Sequence, residues 1–566
     1  MGIICANKNE KLSISPKKLP PSLMRSETGH FFSSVNQPIS KGEIYFSKKG
    51  DEYERIMGPM EIMGGLQSIE IFLSLENLDF DLEKKLKIKA SICNNKISDV
   101  YNFLGETEYL NGVKMNFGVT FIFDYFFEKE QYLKLKVISE DEEELISEKT
   151  TIVGNIIGKK KSILIIPLYE IGKENLSNPL FNLTIHCKNA VQIISECFLE
   201  LTCKIFTYHQ NKFSDLFFVI NNMNDGVNWR SVYKSKEYSG KLKEPIKMDK
   251  IILKPYDLVR EAKNSILFAL YIGGSQKSLG ECYITLDEMR SKKTAFPIKE
   301  HDAKIGELIL QYSEKPLYRF VDFLSHGLVI NLVIGIDFTS SNGRPEDPHS
   351  LHYISTDGRT QYEKAIMSCG TIVGYYDNDQ LFPVFGFGAE LPTEDRVNFC
   401  FPLNLQRDPD IKGIENVLKY YRNALNLVEL SGPTYFAPII KKVKKRIEKD
   451  KQLIYYILMI LTDGNICDLN ETSDLIVECS LYPLSIIIIG IGNTQFNMMI
   501  KLDGDEEPLR NSKGELTKRD IVQFVPFNKF HGDSSKLAEE VLQEIPKQIE
   551  EYFKMTNSYG KLGLQI

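Results

Sequence analysis

Between about residue 65 and residue 313 the chain alternates apolar and polar positions in short runs. They read QSIEIFLSLENL, KLKIKASIC, VTFIFDYFF and YLKLKVIS, then LFNLTIHC, CFLELTCKIF, DLFFVINN, KIILKPYD, SILFALYIGG and GELILQYS. A period of two turns one side of each strand inward and the other outward, and polar turns between such runs predict antiparallel β-sandwiches. The length suits two of them, over 65–190 and 191–313. From about residue 317 the pattern changes. Continuous apolar strands (GLVINLVIGID, IYYILMILTDG, LSIIIIGIG) alternate with helical stretches (QYEKAIMSCGTIV, IENVLKYYRNALNLVEL, FAPIIKKVKKRIEKD), which predicts an α/β doubly wound, mostly parallel sheet over 317–556, covered on both faces. Residues 1–64 are rich in Ser, Pro, Lys and Gly without sustained periodicity and read as a largely unstructured arm.

The bulk numbers fit this multidomain picture. The 566 residues exceed what one core usually supports. A formal charge of -7 argues against broad nucleic-acid affinity, so no nucleic-acid partner is expected. The 10 cysteines show no paired metal spacing, and several lie in apolar runs, the pattern of reduced thiols inside a cell. No apolar run reaches the ~18 residues of a spanning helix. The expected place is the cytoplasm and the cytoplasmic face of the plasma membrane, reached peripherally.

Candidate chemistry gathers at strand ends. GIDFTSSNG closes a buried strand on Asp337, Thr339 and Ser341; MILTDG closes another on Asp463; and LSGPTYFAP sets Thr434 just before a helix. In open α/β sheets ligands bind beyond the carboxyl ends of the strands. Carboxylates and hydroxyls without His or Cys suit a hard octahedral ion, Mg²⁺ or Mn²⁺, and two acids leave its charge under-neutralised, so that a partner's carboxylate would complete the shell. The same residue types also cap helices, and spacing alone leaves both uses open. A phosphoaspartate phosphatase is excluded by Thr339, which stands where its second Asp belongs; no Gly-Lys-Ser/Thr phosphate loop occurs, and Gln495 breaks the dinucleotide fingerprint in IIIIGIGNTQF. No general base or nucleophile is evident, so no enzymatic activity is expected.

Two further features point to membranes. MGIICANK offers Gly2 for myristoylation and Cys5 for a second acyl chain, with five bases against one acid between Lys8 and Arg25; Ala6 stands where that motif expects Ser or Thr. In EKKLKIKA, Lys85, Lys87 and Lys89 share one strand face, either a solvated surface or a basic strip for anionic lipid headgroups, and Lys159, Lys160 and Lys161 form a second basic run. The basic helical stretch KKVKKRIEKDKQ reads as a solvated face.

The motifs IGIDFTSSNG…SLHYIS, FPVFGFGAELP, GPTYFAPII, LTDGNICD, LSIIIIGIGNTQF, LDGD and RDIVQFVPF resemble the copine family, in order, over about 240 residues. The resemblance implies two C2 domains followed by a von Willebrand factor A-type domain, with calcium-dependent phospholipid binding by the former and recruitment of protein partners by the latter. It maps a metal-ion-dependent adhesion site onto Asp337, Thr339, Ser341, Thr434 and Asp463, with the hydroxyls touching the ion directly and the two carboxylates acting largely through water. C2 calcium sites need about five carboxylates, because Ca²⁺ takes six to eight oxygens. Here Asp79, Asp81 and Asp141 remain in the first domain and Asp215 in the second. The expectation is weak or absent calcium binding, and a peripheral membrane adaptor. The alternative is a fully calcium-dependent protein that moves to the plasma membrane on a calcium rise.

Overall fold

The computed structural model describes residues 45–49, 52–56 and 67–564, except 95–99, 174–177, 191–192, 209–211, 223–228, 255–257, 259–264, 274, 276, 292–293, 356–357, 378, 506 and 531. Gly2 and Cys5 lie outside the described residues. Within the stretch read as an arm, Tyr45–Lys49 pairs antiparallel with Glu52–Ile56. This hairpin corrects a reading that had no strand there: YFSKK and EYERI are too short and too charged to register as periodic.

The first sandwich contains β1 (Gln67–Asn77), β2 (Leu86–Cys93), β3 (Asn102–Glu106), β4 (Lys114–Asn116), β5 (Phe121–Tyr125), β6 (Tyr132–Ser139), β7 (Leu145–Ile152), the short helix α1 (Val153–Ile157), β8 (Ile163–Leu168) and β9 (Phe181–Asn189). One sheet runs β8-β9-β1-β4, with β5 also on β1; the other runs β3-β2-β6-β7. The alternation explains the stacking. Ile71, Leu73 and Leu75 of β1 oppose Cys187, Ile185 and Leu183 of β9, while Ile88, Ala90 and Ile92 of β2 oppose Val137, Leu135 and Leu133 of β6. All of these are buried.

The second sandwich is built around β10 (Ile193–Ile205), β11 (Lys212–Asn222), β12 (Ser265–Ile272), β13 (Gly280–Thr285), β14 (Ala295–Glu300) and β15 (Ala303–Leu317), consecutive neighbours being antiparallel from β11-β12 and β12-β13 to β14-β15, with β10 on β15. Its core is separate, formed by residues such as Leu199, Leu201, Phe218, Phe268 and Leu310.

The α/β region follows with α2 (Phe320–Ser325), β16 (Val329–Asp337), α3 (Gln361–Gly374), β17 (Leu381–Phe387), α4 (Ile414–Leu425), α5 (Ala437–Lys449), β18 (Ile454–Thr462), α6 (Leu469–Cys479), β19 (Leu484–Gly490), β20 (Val522–Pro526), α7 (Ser534–Leu542) and α8 (Ile545–Thr556). The parallel order is β17-β16-β18-β19-β20, with short antiparallel segments on the β17 edge. Alternate residues face opposite layers. Ile330, Leu332, Ile334 and Ile336 of β16 join α3, α4, α7 and α8 in one core, whereas Val333 joins α5 and α6 in another. The chain order therefore reverses between β16 and β18, which opens the switch-point crevice where doubly wound folds hold ligands.

The first sandwich shares its core with the α/β region. Phe127 packs on Phe320 and Tyr376, with ring centroids 5.1 and 4.8 Å apart, Tyr125 hydrogen-bonds Tyr376, and Asn189 donates to Asp322 at 2.9 Å. Gly158 makes the approach feasible: a Cβ there would stand 2.1 Å from the Tyr375 carbonyl oxygen.

Candidate metal centre

Strand ends carry the centre. β16 delivers Asp337 into the crevice, a short 3-10 turn (Ser340–Asn342) follows, and the neighbouring strand β18 ends beside it at Thr462 and Asp463. Thr434 arrives on the loop before α5, whose first free amides are capped by Asp468: Phe436 N donates to Asp468 Oδ1 at 3.2 Å and Ala437 N to Oδ2 at 2.8 Å. The Cys467 amide, which donates to the Thr434 carbonyl at 2.9 Å, ties that loop to the one after β18.

The side chains form one continuous chain of contacts. Thr339 Oγ1 donates to Asp337 Oδ1 at 2.6 Å and lies 3.0 Å from Ser341 Oγ; Ser341 Oγ donates to Asp463 Oδ1 at 3.0 Å; and Thr434 Oγ1 stands 3.5 Å from Thr339 Oγ1. Asp337, Thr339, Thr434 and Asp463 are buried, whereas Ser341 is exposed, so the group opens to solvent on the serine side. Burial, reinforced by the Asp463 carboxylate, pushes Asp337 up to about 7 in spite of hydrogen bonds from Thr339 and Thr462. Burial raises Asp463 too. Two carboxyl groups that repel one another across hydroxyl oxygens form a donor set whose hard-oxygen character fits Mg²⁺ or Mn²⁺. Among the described residues no group of three or more His, Cys, Asp or Glu is arranged to hold a metal ion.

Residues outside the sequence-predicted set hold these groups in place. Thr462 Oγ1 donates to Asp337 Oδ2 at 2.6 Å. Gly388, at φ +81°, lies so close that a Cβ would stand 2.4 Å from Thr339 Cγ2. Beneath them His352 is buried and stacks on Phe338 and Tyr362, its Nδ1 2.7 Å from the Tyr421 hydroxyl; burial brings it down to about 3, so the ring is neutral.

Residues 350–560 match the family model described as Copine. Copine-A of Dictyostelium discoideum is 32% identical over 504 residues, covering 84% of this chain and 82% of that protein. The chain belongs to the copine family. Two solved structures are similar to parts of it. The calcium-bound tandem C2 domains of extended-synaptotagmin 2 align over 44% of the copine chain and 97% of their own, at 7% identity and a TM-score of 0.17. The manganese-loaded TRAP protein of Plasmodium vivax aligns over 40% and 74%, at 13% identity and a TM-score of 0.24.

The copine's basic strip is not the free surface that its sequence promised. Lys85 pairs with Glu140 at 3.0 Å; Lys87 with Glu143 at 3.1 Å and Glu106 at 3.2 Å; Lys89 with Glu143 at 3.3 Å. Lys87 is itself buried. Burial works against its charge, but hydrogen bonds with Tyr109, Glu143 and Glu106 outweigh that and hold the ammonium above its ordinary range. The register explains the correction, because the β2 face is closed by acids from β3 and from the turn before β7. Asp79 and Asp81 are exposed on the β1–β2 loop, and Lys84 stands 3.6 Å from Asp141 on the facing loop, so a tethered ammonium lies beside one of the calcium candidates. Asp215 is far along the chain in the second sandwich, exposed on β11. Lys159, Lys160 and Lys161 are exposed.

Proposed function

We propose that this copine is a non-enzymatic peripheral membrane adaptor. Its C2 sandwiches contact phospholipid, and its α/β domain recruits a protein partner through a divalent cation. Asp337, Thr339, Ser341, Thr434 and Asp463 would hold Mg²⁺ or Mn²⁺, which supplies an electrophilic anchor for a partner's carboxylate. The observation that carries the reading is the joining of these five side chains from three separated segments at the switch point, with only two carboxylates among them and an opening at Ser341.

The cation's remaining charge is what makes the site a docking point: a partner's carboxylate neutralises it, whereas water does not. In this reading the site docks rather than catalyses, and the buried, neutral His352 belongs to its aromatic floor. In this reading the membrane half works without calcium, and the Lys84 ammonium 3.6 Å from Asp141 supports it by competing with a cation at that candidate ligand.

Titration of the full chain with Mn²⁺, followed by calorimetry, tests the centre. Wild type takes up one ion and Asp463→Ala does not; with the ion present, a carboxylate-bearing peptide competes with free acetate for the protein. Uptake that survives in Asp463→Ala removes the proposal.

A further inference from the structure

The outward face of the sheet β8-β9-β1 carries an apolar strip that ends among exposed lysines. β8 is the outermost strand, and its outward residues Ile163 and Ile165 are 36% and 61% exposed. Across the register Ile163 opposes His186, which opposes Phe72. The Phe72 and His186 rings lie 5.9 Å apart, and Lys188 Nζ stands 4.8 Å from the Phe72 centroid. Lys159, Lys160 and Lys161, separated from Ile163 by the buried Ser162, are exposed and make no ion pair among the described residues.

The turn bearing them is held firmly. Lys161 and Ser162 both adopt left-handed backbone, at φ 60° and 51°. Ser162 N donates to the Lys159 carbonyl at 2.7 Å, and Ser162 Oγ donates to the Ile157 carbonyl at 3.2 Å. The acids on the same face are already engaged: Glu70 accepts from Thr120 at 2.6 Å and Glu76 from Asn182 at 3.1 Å. Lys85, Lys87 and Lys89, by contrast, are consumed internally.

We infer that this face docks on an anionic lipid surface without calcium, Ile163 and Ile165 entering below the headgroups and Lys159, Lys160 and Lys161 lying level with the phosphates. Exposed branched side chains beside long, exposed lysine stems match an interface that is apolar beneath and anionic above, since lysine reaches up to phosphate while its stem stays in the apolar layer. The inference rests on the membrane half of the proposed function and gives it a place.

The test uses full-length chain, a calcium chelator, and vesicles of phosphatidylcholine with or without phosphatidylserine. Wild type sediments with the phosphatidylserine vesicles. Replacing Lys159, Lys160 and Lys161 together by Gln lowers partitioning roughly a hundredfold. Ile163→Ser with Ile165→Ser lowers it roughly tenfold. Both variants melt as wild type does, because the altered side chains lie at the surface. Ile165→Trp adds an emission that brominated lipid quenches. Unquenched emission, or variants that sediment like wild type, overturns this face as the contact while the adaptor reading stands. Wild type that ignores both vesicles, with calcium and without, overturns both. Capture of polyglutamate in preference to vesicles by the lysine run assigns the face to an acidic protein and overturns the lipid assignment.

Discussion

Asp337 is a carboxylate that folding makes harder to ionise. It is fully buried, accepts from Thr339 N at 2.8 Å and from two threonine hydroxyls, and is still pushed from 3.8 up to about 7 by burial and by Asp463. The native state keeps a proton that the unfolded chain has already released. Its contribution to stability is therefore complete below about pH 4 and is lost as the pH rises through about 7. A divalent cation competes with that proton, so metal affinity should rise with pH over the same window. Asp337→Asn is expected to melt at or above the metal-free wild type at neutral pH, by on the order of 1–3 kcal/mol. Its stability should fall less steeply between pH 4 and 7, and Mn²⁺ should no longer raise its melting point. Scanning fluorimetry across pH, with and without the ion, checks all three. The five candidate ligands were legible because each follows a strand end or precedes a helix. Thr462 was not: it closes the apolar run IYYILMILT and reads as core until β16 and β18 are paired. The fate of Lys87 was hidden for a similar reason, since its partner Glu143 is 56 residues away and meets it only through the β2–β6 register.

At the scale of elements, the parallel strands and their covering helices follow from patterning, whereas element ends depend on local detail. The run IENVLKYYRNALNLVEL reads as one helix, but α4 stops at Leu425, and Glu429–Leu430 pairs as a strand with Ala389–Glu390. That small sheet matters to the site. Ser431 N donates to the Gly388 carbonyl and the Ser431 carbonyl accepts from Ser340 N at 2.7 Å, so the loop before Thr434 is fastened to the turn that carries Ser341. Gly388 is where this fastening leaves no room for a side chain. Gly388→Val is expected to cost roughly 2–4 kcal/mol, from forced left-handed backbone and overlap with Thr339, and to abolish Mn²⁺ uptake. Gly464→Ala, in the same crevice but with nothing within 4 Å of its Cβ, should bind as wild type does. Chemical denaturation paired with metal titration separates the two, and equal behaviour of both variants would deny Gly388 its role in the centre.

At the scale of the molecule, sequence periodicity distinguishes three modules but not which of them share a core. Antiparallel and parallel patterns record what each strand does within its own sheet. They are silent about Phe127, Tyr125 and Gly158, whose neighbours Phe320, Tyr375 and Tyr376 lie roughly two hundred residues further along. Burying aromatic rings on both sides of this contact couples the first sandwich to the α/β domain by several kcal/mol, since each ring contributes about 1.5–3 kcal/mol. The second sandwich keeps its own core and should unfold on its own. Trp229, the chain's 1 tryptophan, lies in that sandwich with its ring 5.8 Å from Tyr283 and reports on it alone. Calorimetry should therefore show one transition that Trp229 emission follows and a larger one, common to the first sandwich and the α/β domain, that it does not. Gly158→Val, whose Cβ would meet the Tyr375 carbonyl at 2.1 Å, should lower or split the larger transition and leave the tryptophan signal in place. If the emission midpoint moves with the rest, the second sandwich belongs to the same cooperative unit and the division drawn from the cores is wrong.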